Sequence, residues 1–290
     1  MAKGENSLKS YLKELWQRVK QSDLTDLAAV LAYYFLLSLF PLLLFLLTLL
    51  PLLDIEADGV IGFIREFAPG ETGQLLEEQI RGLLSSPNGG LLSFGILATI
   101  WSASNATNAA IRSLNKAHMV EEDRPFWKVR LMAIIITIGL VGAMIVALVL
   151  PIFGEVILRG IETVIPVSEL NRILLNASRW IISIFSMSLA LAILYRLAPN
   201  TDLKWKDVWV GAVTATVLWQ IASLAFSFYV SEFGNYQATY GSIGAIIVLM
   251  LWLYITGLII LIGGEINAIR YCRRTGDACL PQENEKSLKA

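Results

Sequence analysis

Histidine is almost missing from this chain: His118 is the only one among 290 residues. That removes most histidine-based metal and triad chemistry. Cysteine is nearly as scarce. Cys272 and Cys279 are the two present, with six residues between them, which fits no zinc or thioredoxin spacing and reads as reduced, unremarkable thiols. Charged residues make up 16% of the chain, against about 25% in soluble domains. The net charge of −1 singles out no acidic or basic partner. No glycine-rich phosphate cradle is present, so neither an ATPase nor any cofactor is expected.

What fills the chain instead is apolar: 56% of residues are hydrophobic and the mean hydropathy is +0.62. About 20 residues of helix cross a bilayer core, and six stretches are long enough. They read as 27–53, 91–112, 131–153, 178–197, 208–230 and 242–269. The expected fold is therefore all-α and polytopic. A cytoplasmic amphipathic segment at 1–25 precedes a six-span membrane domain at 26–270 and a cytoplasmic tail at 271–290. Pro41 should bend the first span, since it removes a backbone hydrogen bond. Short interfacial helices are expected in the first outer loop, at 60–67 and 74–84. With no signal-peptide apolar region and small-residue cleavage site read before the first span, nothing is expected to be removed.

In the N-terminal segment Leu8, Tyr11, Leu12, Leu15, Trp16 and Val19 recur at helical spacing among Lys9, Lys13, Arg18 and Lys20. Such a helix suits the membrane surface, or else packs on the cytoplasmic ends of the spans. Lysine and arginine set the orientation. Alternate sides of the six-span arrangement carry 18 and 5 of them, which places both termini in the cytoplasm.

The last span holds one ionisable residue between Ser242 and Ile269, namely Glu265. A carboxylate at that depth is costly and turns to protein or water rather than lipid. Gly257, Gly264 and Ala268 share its side of the helix, and small residues four apart let helices approach closely. Gly139 with Ala143, and Gly211 with Ala215, repeat that spacing. The second span is the most polar, with Trp101, Asn105, Asn108 and Arg112 in one stripe. Asn105, Asn108, Arg112, Arg196 and Glu265 are thus the candidate polar intramembrane site. Asn108, Arg112 or Arg196 is the expected partner of Glu265.

Several stretches resemble the YihY/BrkB family of bacterial membrane proteins: AAVLAYYFLLSLFPLLL at 28–44, YRLAPN at 195–200, TYGSIGA at 239–245, LWLY at 251–254 and GGEINA at 263–268. The resemblance implies a six-span plasma-membrane protein and no catalytic residues. Some members carry a virulence-factor label, and others a ribonuclease BN label that the residues oppose. Metal-assisted RNA hydrolysis needs clustered carboxylates or histidines, whereas Glu121, Glu122 and Asp123 form the one cytoplasmic acidic run and suit a solvated loop. No nucleic-acid partner is expected.

Two readings remain. One is a transporter or translocator of a polar lipid or other amphipathic anion. The other is a membrane scaffold in which the same polar groups only join helices. Membrane lipids are the expected partners, and the oligomeric state is open. On this topology, single cysteines replacing Lys9, Lys116, Lys206 and Lys286 should react with an impermeant thiol reagent only after cells are permeabilised. A cysteine at Glu77 should react in intact cells, and the opposite pattern there would end the six-span arrangement.

Overall fold

A computed structural model describes residues 8–49, 89–143, 169–233 and 242–276. The expected interfacial helices at 60–67 and 74–84, the outer half of the third span and the tail after 276 lie outside them. Seven helices run through the described residues, and no strand does. They are α1 (Leu8–Gln21), α2 (Leu24–Leu49), α3 (Gly89–Ala117), α4 (Phe126–Ala143), α5 (Glu169–Leu197), α6 (Trp205–Phe233) and α7 (Ser242–Thr275). Five of them, α2 and α4 to α7, are long and apolar enough to cross a membrane. α3 has the length, at 29 residues, but carries polar side chains along it.

The side-chain pattern explains why these helices need lipid. Phe40, Leu97, Ile181 and Leu224 are each at least 66% exposed, and many other large apolar residues of α2 to α7 are also open. Water would make that surface an aggregation hazard. Hydrocarbon makes it the ordinary outside of a bundle whose backbone hydrogen bonds are closed within each helix.

α7 is the central element. It packs on α6, α2, α3, α5 and α1. One apolar core joins α3 to α6 with Ile259 of α7, and includes Ile111, Leu114, Ile136, Leu194, Tyr195 and Val208. A second joins α2, α3 and α7 through Leu24, Ala28, Leu31, Ala106, Ala110 and Leu261.

Glycines set how close the helices come. A Cβ on Gly211 would be driven into the Gly263 carbonyl and the Asn267 side chain, so α6 and α7 meet nearly backbone to backbone. Gly257 packs on Ala28 and Leu31 of α2, Gly264 on Leu114 of α3, and Ala268 is fully buried. Gly139 is different. Among the described residues nothing lies within 4 Å of where its Cβ would stand. The packing face expected at Gly139 and Ala143 is therefore not used at Gly139. The reason is rotation: α4 buries Val129, Arg130, Ala133, Ile136 and Thr137, while Leu131, Ile135, Ile138, Gly139 and Gly142 point outward.

Polar bonds reinforce these contacts. Asn267 accepts from the Gly211 N–H at 2.7 Å and donates to the Val208 carbonyl at 3.0 Å. The Tyr195 hydroxyl donates to the Ile260 carbonyl at 2.7 Å. Thr107 and Thr137 share a hydrogen bond between α3 and α4, and Ser188 donates to Thr216 between α5 and α6. Gly211→Ala should lower stability in detergent by about 1–3 kcal/mol, as overpacking does, and Gly139→Ala should leave it unchanged. Equal melting temperatures for the two variants would contradict the close crossing.

Candidate functional site

α1 is an amphipathic helix with a charged residue on its inner face. Tyr11, Leu15 and Val19 are half-buried and Arg18 is 2% exposed, while Trp16 faces outward with Lys20 over its ring. Packing on the ends of the spans is thus the arrangement found. Tyr11 donates to the Ile266 carbonyl at 2.7 Å, and burial pushes its phenol up to about 12. Glu14 pairs with Arg273 at 2.7 Å on the same flank.

Arg18 carries the deepest contact of α1. Its Nη1 donates to Glu265 Oε2 at 3.0 Å and to the Ala117 carbonyl at 2.9 Å, joining α1, α7 and the end of α3. Glu265 is 1% exposed, and its Oε1 is buried without a hydrogen-bond partner among the described residues. The expected partners are corrected here, because Asn108, Arg112 and Arg196 do not reach it. Arg112 is exposed, Asn108 is half-buried, and Arg196 lies over the ring of Trp205 with Cζ 4.4 Å from its centroid. The physical reason is the length of α7. It runs on to Thr275, so Glu265 stands level with Ala117, where a helix lying across that end of the bundle can reach it.

His118 follows directly. Its Nδ1 bonds the Leu114 carbonyl at 3.0 Å, its Nε2 is buried without a partner among the described residues, and its ring lies against Tyr271. Burial pushes the imidazole down to about 4, with the nearby Arg18 charge acting the same way, so the ring is neutral at physiological pH. Cys272 is a buried free thiol with Arg18 Nη2 at 3.7 Å from its sulfur.

A second polar group ties the loops at this end together. Arg124 caps α5 by donating to the Leu197 and Ala198 carbonyls, and it also pairs with Glu122. The Arg124 hydrogen bonds hold the Glu122 carboxyl below its ordinary range. Asn115 accepts from the Asn200 N–H and donates to Glu122. At the start of α6, Asp207 accepts from the Lys204 N–H at 3.0 Å and pairs with Arg274 of α7 at 2.9 Å. Asn105, the remaining candidate, accepts from Arg130 of α4 at 2.7 Å.

Sequence reasoning therefore missed two buried arginines. Arg18 had a readable signal, because Tyr11, Leu15, Arg18 and the buried Ser22 follow one another at helical spacing on the inner stripe of α1. Arg130 had a weaker one, a cation among the first apolar residues of its span. Among the described residues no group of three histidine, cysteine or acidic side chains could hold a metal ion.

With α1 docked, removing one partner of the Arg18–Glu265 pair strands the other. Arg18→Met should cost about 3–5 kcal/mol, and Arg18→Met combined with Glu265→Leu should recover most of it. Thermal unfolding of the purified protein reads this out, and a single variant as stable as the parent would show that the pair is not what holds α1.

The comparisons with known proteins agree with this architecture. The chain is 48% identical over 275 residues to the ribonuclease-like protein YfkH of Bacillus subtilis, covering 95% of this chain and 98% of that one. It is 33% identical over 270 residues to a UPF0761 membrane protein of Aliivibrio fischeri, covering 89% and 82%. A UPF0761 membrane protein of Aeromonas salmonicida is 26% identical over 265 residues, covering 88% and 86%. No solved structure gives a significant match. The model of the family described as Virulence factor BrkB matches residues 15–287, and the chain is a multi-pass membrane protein belonging to that family.

Proposed function

We propose that this protein moves a polar lipid or another amphipathic anion across the bacterial plasma membrane, without an ATPase of its own and with both termini in the cytoplasm. The six-span topology of the sequence belongs to this reading, with α3 as the polar span. The observation that carries it is the interior carboxylate at the junction of α1, α3 and α7. One oxygen of Glu265 is held by Arg18 and the other is buried with no partner among the described residues. Such a group can take a proton or a substrate donor when α1 shifts. α1 is suited to shift, because Arg18, Tyr11 and Glu14 hold it through a few polar bonds.

The competing reading is a scaffold for envelope assembly. It is favoured by how many polar groups join helices: Asn267 to Gly211, Thr107 to Thr137 and Ser188 to Thr216 are all helix-to-helix bonds. The ribonuclease-like name of the Bacillus relative is not adopted for this chain. Glu122, in the middle of the acidic run, is engaged by Arg124 and Asn115 and works as a loop staple.

Reconstitution separates the two readings. Vesicles with head-labelled fluorescent phosphatidylglycerol should lose inner-leaflet signal to an impermeant reductant faster with the protein than without it. Glu265→Gln should abolish the gain while the purified protein stays folded, at the lower melting temperature that loss of the Arg18 pair brings. A parent protein no faster than empty vesicles would remove the transport reading.

A further inference from the structure

Arg130 differs from the other buried charges of the bundle. Arg18 has Glu265 and Asp207 has Arg274, but among the described residues no carboxylate pairs with Arg130, which is 9% exposed. Its bonds go to neutral acceptors of α3: Nη1 donates to Asn105 Oδ1 at 2.7 Å and Nη2 to the Trp101 carbonyl at 3.1 Å. Its Nε–H is buried and has no acceptor among the described residues. The Trp101 indole lies over the guanidinium, with Cζ 3.7 Å from the ring centroid, and that tryptophan is itself 57% exposed.

A guanidinium offers five donors in a rigid fork that matches phosphate oxygens. Here two bonds to uncharged oxygens orient the fork, an aromatic face covers it, and the full positive charge is left without a counterion. The surroundings decide how an anion could arrive. Leu97 of α3 and Trp127 and Leu131 of α4, on the outward stripes beside it, are all exposed. Approach is through lipid, which favours a phosphate carried on acyl chains over a free ion. Asn105 stands seven residues before Arg112 on α3, about 10 Å along the helix axis at 1.5 Å per residue. A headgroup reaching it would leave the plane of the other headgroups.

We propose that Arg130, oriented by Asn105 and covered by Trp101, binds the phosphate of an anionic lipid headgroup between α3 and α4. Binding here does not depend on translocation, since a scaffold could hold the same lipid, so vesicle transport and lipid binding can fail separately.

Native mass spectrometry of the full-length protein in detergent tests it, with phosphatidylglycerol, phosphatidylcholine or inorganic phosphate added in turn. The parent protein should retain a phosphatidylglycerol adduct in preference to phosphatidylcholine. Arg130→Gln should weaken that adduct about tenfold, as loss of a charge-assisted hydrogen bond does. Arg130→Lys should keep part of it, and serves in place of the glutamine variant if that one does not fold. Lys128→Gln, which removes an exposed charge two residues away, should leave it intact. Equal retention by the parent and Arg130→Gln proteins, or an equal loss with Lys128→Gln, would overturn the site. Displacement of the lipid by inorganic phosphate at matched concentration would overturn its assignment to a lipid.

Discussion

Everything in this bundle depends on how closely α6 and α7 can approach. With lipid outside, no hydrophobic force draws one apolar helix onto another, so association rests on contact distance and hydrogen bonds. Gly211 and Gly263 remove the side chains that would hold the backbones apart. Asn267 then bonds across the narrowed gap to two backbone groups of α6, and Tyr195 reaches from α5 to a carbonyl of α7. The GGEINA segment thus meets four helices. Its glycines meet α6, α5 and α3, its asparagine bonds α6, and its glutamate meets the incoming α1.

That arrangement separates the molecule into two regimes. Toward the bilayer centre the helices are joined by small residues and hydroxyl pairs. Toward the end where α1 lies they are joined by charge: Asp207, Arg274, Glu122 and Arg124 stand at helix ends or in loops, and the Arg18–Glu265 pair lies level with the end of α3. The gradient follows from solvation, because an ion pair near water can be hydrated when it opens, and a pair at the bilayer centre cannot. Arg130 breaks the gradient, which is why it stands out chemically.

Hydropathy alone made the helices legible, and Gly211, Gly257 and Gly264, singled out by small-residue spacing, lie against neighbouring helices. The same spacing failed at Gly139, because a run of apolar residues in a membrane helix does not say which face is protein and which is lipid. Charge was read least well. Glu265 was visible as an anomaly, but its partner lay 247 residues away on a helix whose basic residues looked like membrane-surface anchors. Nothing in local sequence pairs two such positions. The boundary of the last span also misled, since helical backbone does not end where the bilayer does, and the extra turns to Thr275 moved Glu265 to the level of the α3 terminus.

The Arg18–Glu265 pair also orders events in time. Synthesis delivers Arg18 before the first span and Glu265 only with the last, so the arginine waits through the insertion of every helix between them. α1 is joined to α2 by Ser22 and Asp23 alone, the latter in a left-handed turn with φ 50°, and so it stays beside the growing bundle while it waits. α7 enters the bilayer carrying an acid with no mate until it reaches that helix. Closure of the pair therefore needs the whole bundle: a chain truncated before its last span has Arg18 without the acid that pairs with it in the finished protein.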